Sequence, residues 1–322
     1  FAELLSQADA ACFTAKEQGG NRVCMAGVHA GDVLDRTAAM RWAVRIREAL
    51  EQRRFVLYAQ TIDPLRAPAG GKPGVNQESP RRHFELLLRM RDEKSGAILG
   101  PDQFMSAAER FRLGLRIDRE VVNMALGWLE ENPAAAADVA VCGINLSAEA
   151  LGDEGFNRFL SDRLRNSSFP ASRLCLELTE TSAVRDLGRA QRFINDLRAL
   201  GCRFALDDFG TGFCSFNYLR SLDVEYFKID GSFVRDLESS SLAMAVIRSI
   251  TDIAHVLDKQ TIAEHTENEA ILASLRELGV DYAQGYGIHR PEPLAEYFLH
   301  PAVPGRIPGT SIVAPAPHNA RR

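Results

Sequence analysis

Acidic and amide side chains recur along this chain where short apolar runs end. Glu85 and Arg89 lie in FELLLR, and the other runs carry, in chain order, Asn145 in GINLS, Glu177 in LELTE, Asp207 and Asp208 in ALDDFGTG, Lys228 in FKID, Glu264 in IAEHTE and Gln284 in AQGY. Five carboxylates, an amide and one lysine that converged in one place would repel each other without cations, so the pattern predicts divalent metal and a phosphate-bearing substrate. Oxygen ligands without a His/Cys cluster favour Mg²⁺ or Mn²⁺ over Zn²⁺.

The elements that must position these side chains alternate between strand and helix. Apolar runs predict strands near residues 55–61, 82–90, 139–146, 173–179, 203–208, 224–229, 260–264 and 281–286. Between them, helical spacing appears at residues 104–129, 187–200, 242–257 and 267–278. Eight strands with intervening helices over about 250 residues predict an α/β fold of the TIM-like (β/α)8 barrel type, which does its chemistry at the C-terminal edge of the strands.

The first strand of this barrel is predicted to be irregular. Residues 55–61 alternate like a strand, but residues 62–80, which lead to the next strand, are rich in Pro and Gly and show no helical period. Parallel neighbours need a crossover connection, usually a helix, whereas antiparallel neighbours do not. We therefore expect the first strand to run antiparallel to the rest.

Composition excludes several classes of function. The chain has 322 residues, 46% of them hydrophobic, and a formal net charge of -5, which argues against binding a nucleic acid polymer. No stretch reaches the roughly 20 uncharged apolar residues of a membrane helix, so we expect no membrane contact by this fragment. The six cysteines form no CxxC pair. This indicates a reducing, cytoplasmic location, which is compatible with a membrane anchor elsewhere in a longer parent protein.

The chain also divides along its length. It begins without Met inside an amphipathic helical pattern, which suggests a piece of a longer protein. Residues 28–54 are predicted to be a linker and a lead-in helix, with helical spacing from Arg36 to Arg54, and residues 55–300 the barrel domain. Residues 301–322 have little patterned apolar content, so we expect a flexible tail.

Two local features leave alternatives open at this stage. Where the strand ending at Asp207 turns into a loop, both Asp207 and Asp208 can reach one cavity, but for either alone a solvent-facing position is the simpler interpretation. Lys228 could orient or help deprotonate a metal-bound water or steady phosphate oxygens. A structural salt bridge that closes the barrel mouth is a nearly equal alternative for Lys228.

Taken in order, the motifs closely resemble the EAL family of cyclic di-GMP phosphodiesterases. The resemblance runs from about Arg36 to Phe298 and rests on ExLxR at Glu85, NLS at Asn145, ELTE at Glu177, DDFGTG at Asp207, KID at Lys228, AExxE at Glu264 and QGY at Gln284. Residues 1–27 resemble the C-terminal remnant of a GGDEF domain, the usual upstream partner. The GGDEF signature itself is absent from the sequence, so we expect no cyclase activity in this chain.

The resemblance implies hydrolysis of cyclic di-GMP to linear pGpG with two Mg²⁺ or Mn²⁺ ions. It assigns Glu85, Asn145, Glu177 and Asp207 to the first metal, and Asp207, Asp208 and Glu264 to the second. The catalytic set it implies is Lys228, Glu264 and Glu85, with Lys228 positioning the attacking water. Substrate binding falls to Gln60, Arg89 and Gln284, while Glu180, bracing the DFGTG loop, and Glu267 have supporting roles. In the family that loop lies near a dimer contact, which implies a homodimer.

The sequence departs from the family pattern at three places. Leu86 replaces the Ala of the name motif, His265 stands where the family has Gly, and CSFNYL replaces the common SSLSYL after the loop. A bulky ring next to Glu264 could crowd the loop, or its protonation could perturb the second metal. The enzyme is the leading hypothesis because every implied ligand is intact. The alternatives are a weak or inactive EAL domain acting as a cyclic di-GMP receptor, and a silent dimerisation scaffold.

Overall fold

The structure, a computed structural model, describes residues 30–66, 81–211 and 216–300. Its strands are β1 (Phe55–Thr61), β2 (Asp63–Pro64), β3 (Arg82–Arg91), β4 (Ile98–Leu99), β5 (Val139–Asn145), β6 (Leu174–Thr179), β7 (Arg203–Phe209), β8 (Tyr226–Ile229), β9 (Gln260–Ala263), β10 (Tyr282–Ala283) and β11 (Glu292–Pro293). Its α-helices are α1 (Ala30–Glu51), α2 (Met105–Arg110), α3 (Gly114–Glu131), α4 (Pro133–Ala137), α5 (Glu154–Arg165), α6 (Glu180–Arg185), α7 (Leu187–Arg198), α8 (Phe216–Leu219), α9 (Gly231–Arg235), α10 (Ser241–Val256), α11 (Glu269–Leu278) and α12 (Leu294–Tyr297). The predicted N-terminal remnant, residues 1–27, and the predicted tail, residues 301–322, lie outside the described residues.

The strands form one sheet that closes on itself, as expected for a TIM-like barrel. The order is β11-β1-β3-β5-β6-β7-β8-β9-β10-β2, and every pairing from β3 to β10 is parallel. Strand β10 pairs with β2, which follows β1 after one residue, so the two ends of the sheet meet. The predicted α/β barrel is confirmed.

Strand β1 runs against β3, as the sequence predicted. The Arg91 amide donates to the Arg54 carbonyl at 2.8 Å, and the Ile62 amide donates to the His83 carbonyl at 2.9 Å. Partners whose numbers change in opposite directions define an antiparallel pair. The predicted boundaries of the eight barrel strands agree with the structure to within two residues, except that β10 ends at Ala283 rather than near residue 286.

The described chain separates into two compact units. The first comprises residues 30–55 and 90–113, and the second comprises residues 56–66, 81–89, 114–211 and 216–300. In the first unit, Phe104 is fully buried and its ring lies 6.5 Å from that of Trp42 and 5.9 Å from that of Phe55. Arg45 lies over the Trp42 ring at 4.0 Å. The lead-in helix predicted at residues 36–54 is present as α1, beginning earlier, at Ala30.

In the second unit, six buried side chains, five from strands β5 to β9 and one from the residue between β1 and β2, fill the barrel interior. These are Ile62, Val141, Cys175, Ala205, Tyr226 and Ile262. Successive side chains of a strand point to opposite faces, so residues two positions further along the parallel strands also face inward. Those positions are Gly143, Glu177, Asp207, Lys228 and Glu264. The alternation that builds the core therefore also places the polar side chains in one layer at the C-terminal edge.

The helix predicted at residues 104–129 is two helices, α2 and α3. The break falls at Arg112, whose φ of 52° lies in the left-handed region, where a helix does not continue. The helices that the sequence does not predict are α4, α5, α6, α8, α9 and α12, of which α5 and α6 precede and follow β6. Within residues 30–66, 81–211 and 216–300, no helix is both long and apolar enough to cross a bilayer.

Candidate functional site

Lys228 lies at the centre of the polar layer. It is 1% exposed, and its ammonium group contacts four carboxylates: Nζ is 3.2 Å from Glu85 Oε2, 2.5 Å from Glu177 Oε2, 3.2 Å from Asp207 Oδ1 and 2.9 Å from Glu264 Oε1. The four carboxylates come from strands β3, β6 and β7 and from the residue after β9. One buried cation thus gathers acidic side chains from four different strand ends.

Three carboxylates of this cluster, those of Glu177, Glu264 and Glu85, have shifted pKa values because of burial and neighbouring charges. Burial, with repulsion from Glu85, raises the pKa of Glu177 well above its usual range. Burial also raises the pKa of Glu264 to about 8 against the opposing charge of Lys228. Glu85 behaves differently: burial acts to raise its pKa, but the charge of Lys228 and hydrogen bonds from Gln284 and Asn145 lower it overall. The cluster carries more negative charge than one lysine neutralises.

Amide side chains bind the same cluster and have a defined orientation. Asn145 Nδ2 donates to Glu85 Oε1, while Gln284 Nε2 donates to Glu85 Oε2 at 2.7 Å and to Gln60 Oε1 at 3.1 Å. Gln60 Nε2 in turn donates to the His289 carbonyl at 2.8 Å. Because nitrogen faces Glu85 in both cases, Asn145 Oδ1 is the amide atom that could reach a cation.

Asp207, Asp208 and Glu264 form a group with the geometry of a metal site. One oxygen from each lies within 4.8 Å of the others. Asp208 adopts a φ of 55°, which turns the chain at the end of β7, so both neighbouring aspartates reach one place although Asp208 is exposed. Burial and the adjacent charge of Asp207 raise the pKa of Asp208. An all-oxygen donor set with excess negative charge fits a hard divalent cation.

Gly143 of β5 leaves the space that Glu177 occupies. A Cβ at this position would lie 2.1 Å from Glu177 Oε1. Glu177 is 3% exposed, and Cys175, two residues earlier on β6 and paired with Gly143 across the sheet, packs in the apolar layer below. The small residue on β5 therefore permits the β6 carboxylate to lie over the barrel interior.

Glu180 contacts the loop that follows β7. It is 1% exposed, its Oε2 accepts a hydrogen bond from the Gly210 amide at 2.9 Å, and its Oε1 accepts one from the Tyr218 hydroxyl. Both carboxylate oxygens are thus bonded to groups on either side of residues 212–215. Glu180 connects α6 to the DFGTG segment.

Two of the predicted residues lie apart from the carboxylate cluster. Arg89 Nη1 donates to the Leu88 carbonyl at 2.8 Å, and its guanidinium lies 5.6 Å from the Tyr58 ring. Glu267 is exposed and directly precedes Asn268, the N-cap of α11. Across the residues that the structure describes, neither side chain has a hydrogen bond or ion pair to the cluster. Arg89 and Glu267 remain predictions.

The loops after β9 and β10 are joined through their backbones. The Gln284 amide donates to the Ala263 carbonyl at 2.8 Å, the Thr266 amide to the Gln284 carbonyl at 2.9 Å, and the Gly287 amide to the Thr266 carbonyl at 2.9 Å. A Cβ at Gly285 would lie 2.2 Å from the Thr266 carbonyl oxygen and 2.3 Å from its nitrogen. This contact fixes Glu264 relative to Gln284.

Comparison with known proteins was made on the sequence and on the fold. Residues 43–291 match the family model described as EAL domain. The chain belongs to the EAL domain family. This membership covers most of the barrel and all the residues of the carboxylate cluster.

Several EAL relatives carry names that state an activity. The chain is 41% identical over 295 residues to cyclic di-GMP phosphodiesterase PdeB of Shewanella oneidensis, covering 92% of this chain and 33% of that protein. It is 34% identical over 265 residues to cyclic di-GMP phosphodiesterase PdeF of Escherichia coli, covering 82% and 33%. The chain therefore spans about one third of the length of these curated relatives.

A solved EAL structure with bound ligand is also similar. The PaMucR phosphodiesterase in complex with c-di-GMP superposes with a TM-score of 0.66 at 30% identity, covering 80% of this chain and 99% of that one. The FimX EAL domain of Pseudomonas aeruginosa bound to c-di-GMP gives a TM-score of 0.68 at 28% identity, covering 78% and 96%. Both comparisons extend over nearly the whole of those two chains.

His265, the main departure from the EAL pattern, has a strained backbone. Its φ is 51°, in the region that favours glycine, and a Cβ on Gly231 would lie 2.1 Å from His265 Cδ2. The ring therefore packs against the first residue of α9. The predicted crowding of the loop stays a prediction, but the absence of a side chain on Gly231 explains how the larger residue is accommodated.

Replacing His265 with glycine is expected to stabilise the protein. The left-handed conformation costs a residue with a Cβ about 1–2 kcal/mol, and the extra chain entropy of glycine offsets about 0.5–1 kcal/mol of that gain. We expect His265→Gly to raise the free energy of unfolding by about 0.5–1 kcal/mol in urea titration. Asp258→Gly, at a φ of 55° beyond the end of α10, should gain similarly and serves as the control. A loss in His265→Gly alone would mean that the ring contact with Gly231 outweighs the strain.

Sequence reasoning missed two buried polar contacts of this EAL site. Tyr218 is 5% exposed and bonds Glu180. Asp118 of α3 is 4% exposed, and burial raises its pKa to about 7 although Ser147 bonds it. A signal was available for Asp118, since it lies among the apolar positions of α3 next to Ile117, where a charged residue is unexpected.

Proposed function

We propose that this chain hydrolyses cyclic di-GMP to linear pGpG with two divalent cations, Mg²⁺ or Mn²⁺. One observation carries the proposal: a buried lysine lies within 3.2 Å of carboxylates from four strand ends, in a chain of the EAL family. The names of the similar proteins, cyclic di-GMP phosphodiesterases among them, support the choice of substrate.

The proposed role of each site residue follows from its position in the cluster. Glu85, Asn145, Glu177 and Asp207 hold one cation, and Asp207, Asp208 and Glu264 hold the other. Bound divalent ions supply Lewis-acid chemistry: they polarise phosphoryl oxygens, lower the pKa of water and absorb charge on the leaving oxygen. Lys228, between Asp207 and Glu264, holds a proton firmly because the surrounding carboxylates raise its pKa against the effect of burial. It donates hydrogen bonds that orient the attacking water.

Substrate contacts come from the rim of the same edge. Arg89, four residues beyond Glu85 on β3, presents a guanidinium that can bind phosphate oxygens as a fork. Gln284 donates to both Gln60 and the Glu85 carboxylate, so the two glutamines complete the wall of the pocket next to β1. Glu180 holds the loop after β7, and Glu267 supports the loop after β9.

The wider context of the chain is also part of the proposal. Residues 1–27 are proposed to be the end of a GGDEF domain, on the resemblance of their sequence alone. The protein forms a homodimer near the DFGTG loop. It works in the cytoplasm, consistent with buried, unpaired Cys142, Cys175 and Cys202.

The test is turnover of cyclic di-GMP by the purified chain with Mg²⁺ or Mn²⁺, followed by chromatographic separation of the nucleotides. We expect pGpG from the wild type and a loss of at least about 10²-fold in Glu85→Ala and in the shape-conserving Glu85→Gln, since each removes a carboxylate that would hold a cation needed to stabilise the transition state. Glu154→Ala, at an exposed position of α5, is the matched control and should keep full activity. Tight binding of cyclic di-GMP without turnover in either metal would instead support a receptor.

A further inference from the structure

Asp118 of α3 holds the segment that follows β5. Its carboxylate accepts hydrogen bonds from the Ser147 amide, at 3.3 Å to Oδ1 and 3.2 Å to Oδ2, and from the Ser147 hydroxyl, at 2.6 Å to Oδ2. Asp118 is 4% exposed. A buried carboxylate is costly unless it is well bonded, so these contacts are specific rather than incidental.

Helix α3 packs closely against Ser147, which brings the Asp118 carboxylate within hydrogen-bond distance. Gly114 lies four residues before Asp118, on the same face of α3. A Cβ at Gly114 would lie 2.9 Å from both Cβ and Oγ of Ser147. The first turn of α3 therefore contacts Ser147 closely, and Asp118 binds it from the second turn.

Ser147 is two residues from Asn145, whose amide reaches Glu85. Asn145 is the last residue of β5, pairs with Glu177 across the sheet and is exposed. The Leu146 amide donates to the Glu177 carbonyl at 3.0 Å. The chain after Asn145 is thus held on one side by the β6 backbone and on the other by Asp118, while Asn145 itself has little packing of its own.

We propose that Asp118 is a positioning residue that, through Ser147, fixes the amide of Asn145 for metal binding. This inference rests on the proposed function, in which Asn145 Oδ1 is a metal ligand. Asp118 contacts neither metal nor substrate. It keeps the turn after β5 in the one arrangement that directs Asn145 Nδ2 at Glu85 and leaves Oδ1 for the cation.

The experiment measures Mn²⁺ binding without substrate, by electron paramagnetic resonance of free Mn²⁺ in titrations of the metal-free full chain. Residues that orient metal ligands typically contribute about 10- to 100-fold to metal affinity. We expect Asp118→Ala to weaken Mn²⁺ binding by about tenfold or more. Asp118→Asn keeps the volume and one acceptor for Ser147, so it should weaken binding less, and it remains informative should the alanine variant fold poorly.

Asp153→Ala is the matched control. Asp153 is the N-cap of α5, where its side chain accepts from the Phe156 amide, so its loss destabilises the fold at a place outside the metal cluster. We expect its Mn²⁺ affinity to equal that of the wild type. Equal Mn²⁺ affinity in Asp118→Ala, with only a lower thermal midpoint, would overturn the proposal and leave Asp118 a purely structural residue.

A double variant tests the route through Asn145. Once Asn145→Ala has removed the amide, Asp118→Ala should weaken Mn²⁺ binding no further, because the two changes act on one ligand. An undiminished effect in that background would overturn the inference. Turnover of cyclic di-GMP by the wild type separates the proposed hydrolysis from the proposed role of Asp118. A wild type that binds Mn²⁺ but leaves the nucleotide intact would contradict the proposed function. The Mn²⁺ affinities of the variants would still decide the role of Asp118.

Discussion

Replacing Lys228 with methionine is expected to abolish hydrolysis and to destabilise the metal-free protein. The change removes the ammonium group that two buried carboxylates, Glu85 and Glu177, share with two partly buried ones at 2.5–3.2 Å. Breaking a buried ionic contact by removing one partner costs about 3–5 kcal/mol, because the remaining charges are left uncompensated. We expect a loss of that order in urea unfolding with EDTA present, and at least about a 10²-fold loss of turnover in Mn²⁺.

Added Mn²⁺ should restore stability to Lys228→Met without restoring activity. A ligand that binds only the folded state at 100 times its dissociation constant stabilises that state by about 2.7 kcal/mol. Divalent ions can neutralise the carboxylates, but they cannot supply the proton donor that orients water. Lys259→Met is the control, since Lys259 pairs with the exposed Asp223 at 3.3 Å and should change stability by about 0–1 kcal/mol. Recovery of turnover in Lys228→Met would contradict a catalytic role for the lysine.

Replacing Gly285 with alanine is the second change with a large expected effect. The added methyl group would lie 2.2–2.3 Å from backbone atoms of Thr266, so the loops after β9 and β10 must move apart. These loops carry Glu264 and Gln284. A displacement of about 1 Å at a reacting centre can cost about 10²-fold in rate, and we expect a loss of turnover of that size. Overpacking should also lower the free energy of unfolding by about 1–3 kcal/mol.

Gly127→Ala is the matched control for this prediction. Gly127 lies inside α3, and a Cβ there would meet nothing within 4 Å. The same chemical change should therefore raise the free energy of unfolding by about 0.5–1 kcal/mol, because alanine is the better helix former, and leave turnover unchanged. Wild-type turnover and stability in Gly285→Ala would mean that the two loops can separate freely and that their backbone contacts do not position the site.

Much of the fold could be predicted because the same two-residue alternation along each strand places both the core side chains and the side chains of the site. Apolar residues such as Ala205 and polar ones such as Asp207 follow each other at a spacing of two, so locating a strand also locates its inward-facing tip. The antiparallel first strand followed from the missing helical pattern in residues 62–80. These inferences depend only on local sequence, which is why they agree with the structure.

The contacts of the site could not be predicted in the same way. That Lys228 touches four carboxylates, and that Asn145 and Gln284 both turn their nitrogens to Glu85, depends on how strands far apart in sequence lie in the barrel. The left-handed residue Arg112, which divides the predicted long helix, has no signal in the apolar spacing. Asp118 carried a signal, but its meaning required knowing that Ser147 lies beside it.

Lys228 also affects how the metal-free protein folds. Many small metal-binding domains stay unfolded until the ion arrives, because their ligands repel each other. Here an internal ammonium group already joins the four acidic strand ends. We therefore expect the barrel to assemble without metal, so that, under the proposed function, supplying or withdrawing the ion would switch activity on or off without refolding the chain.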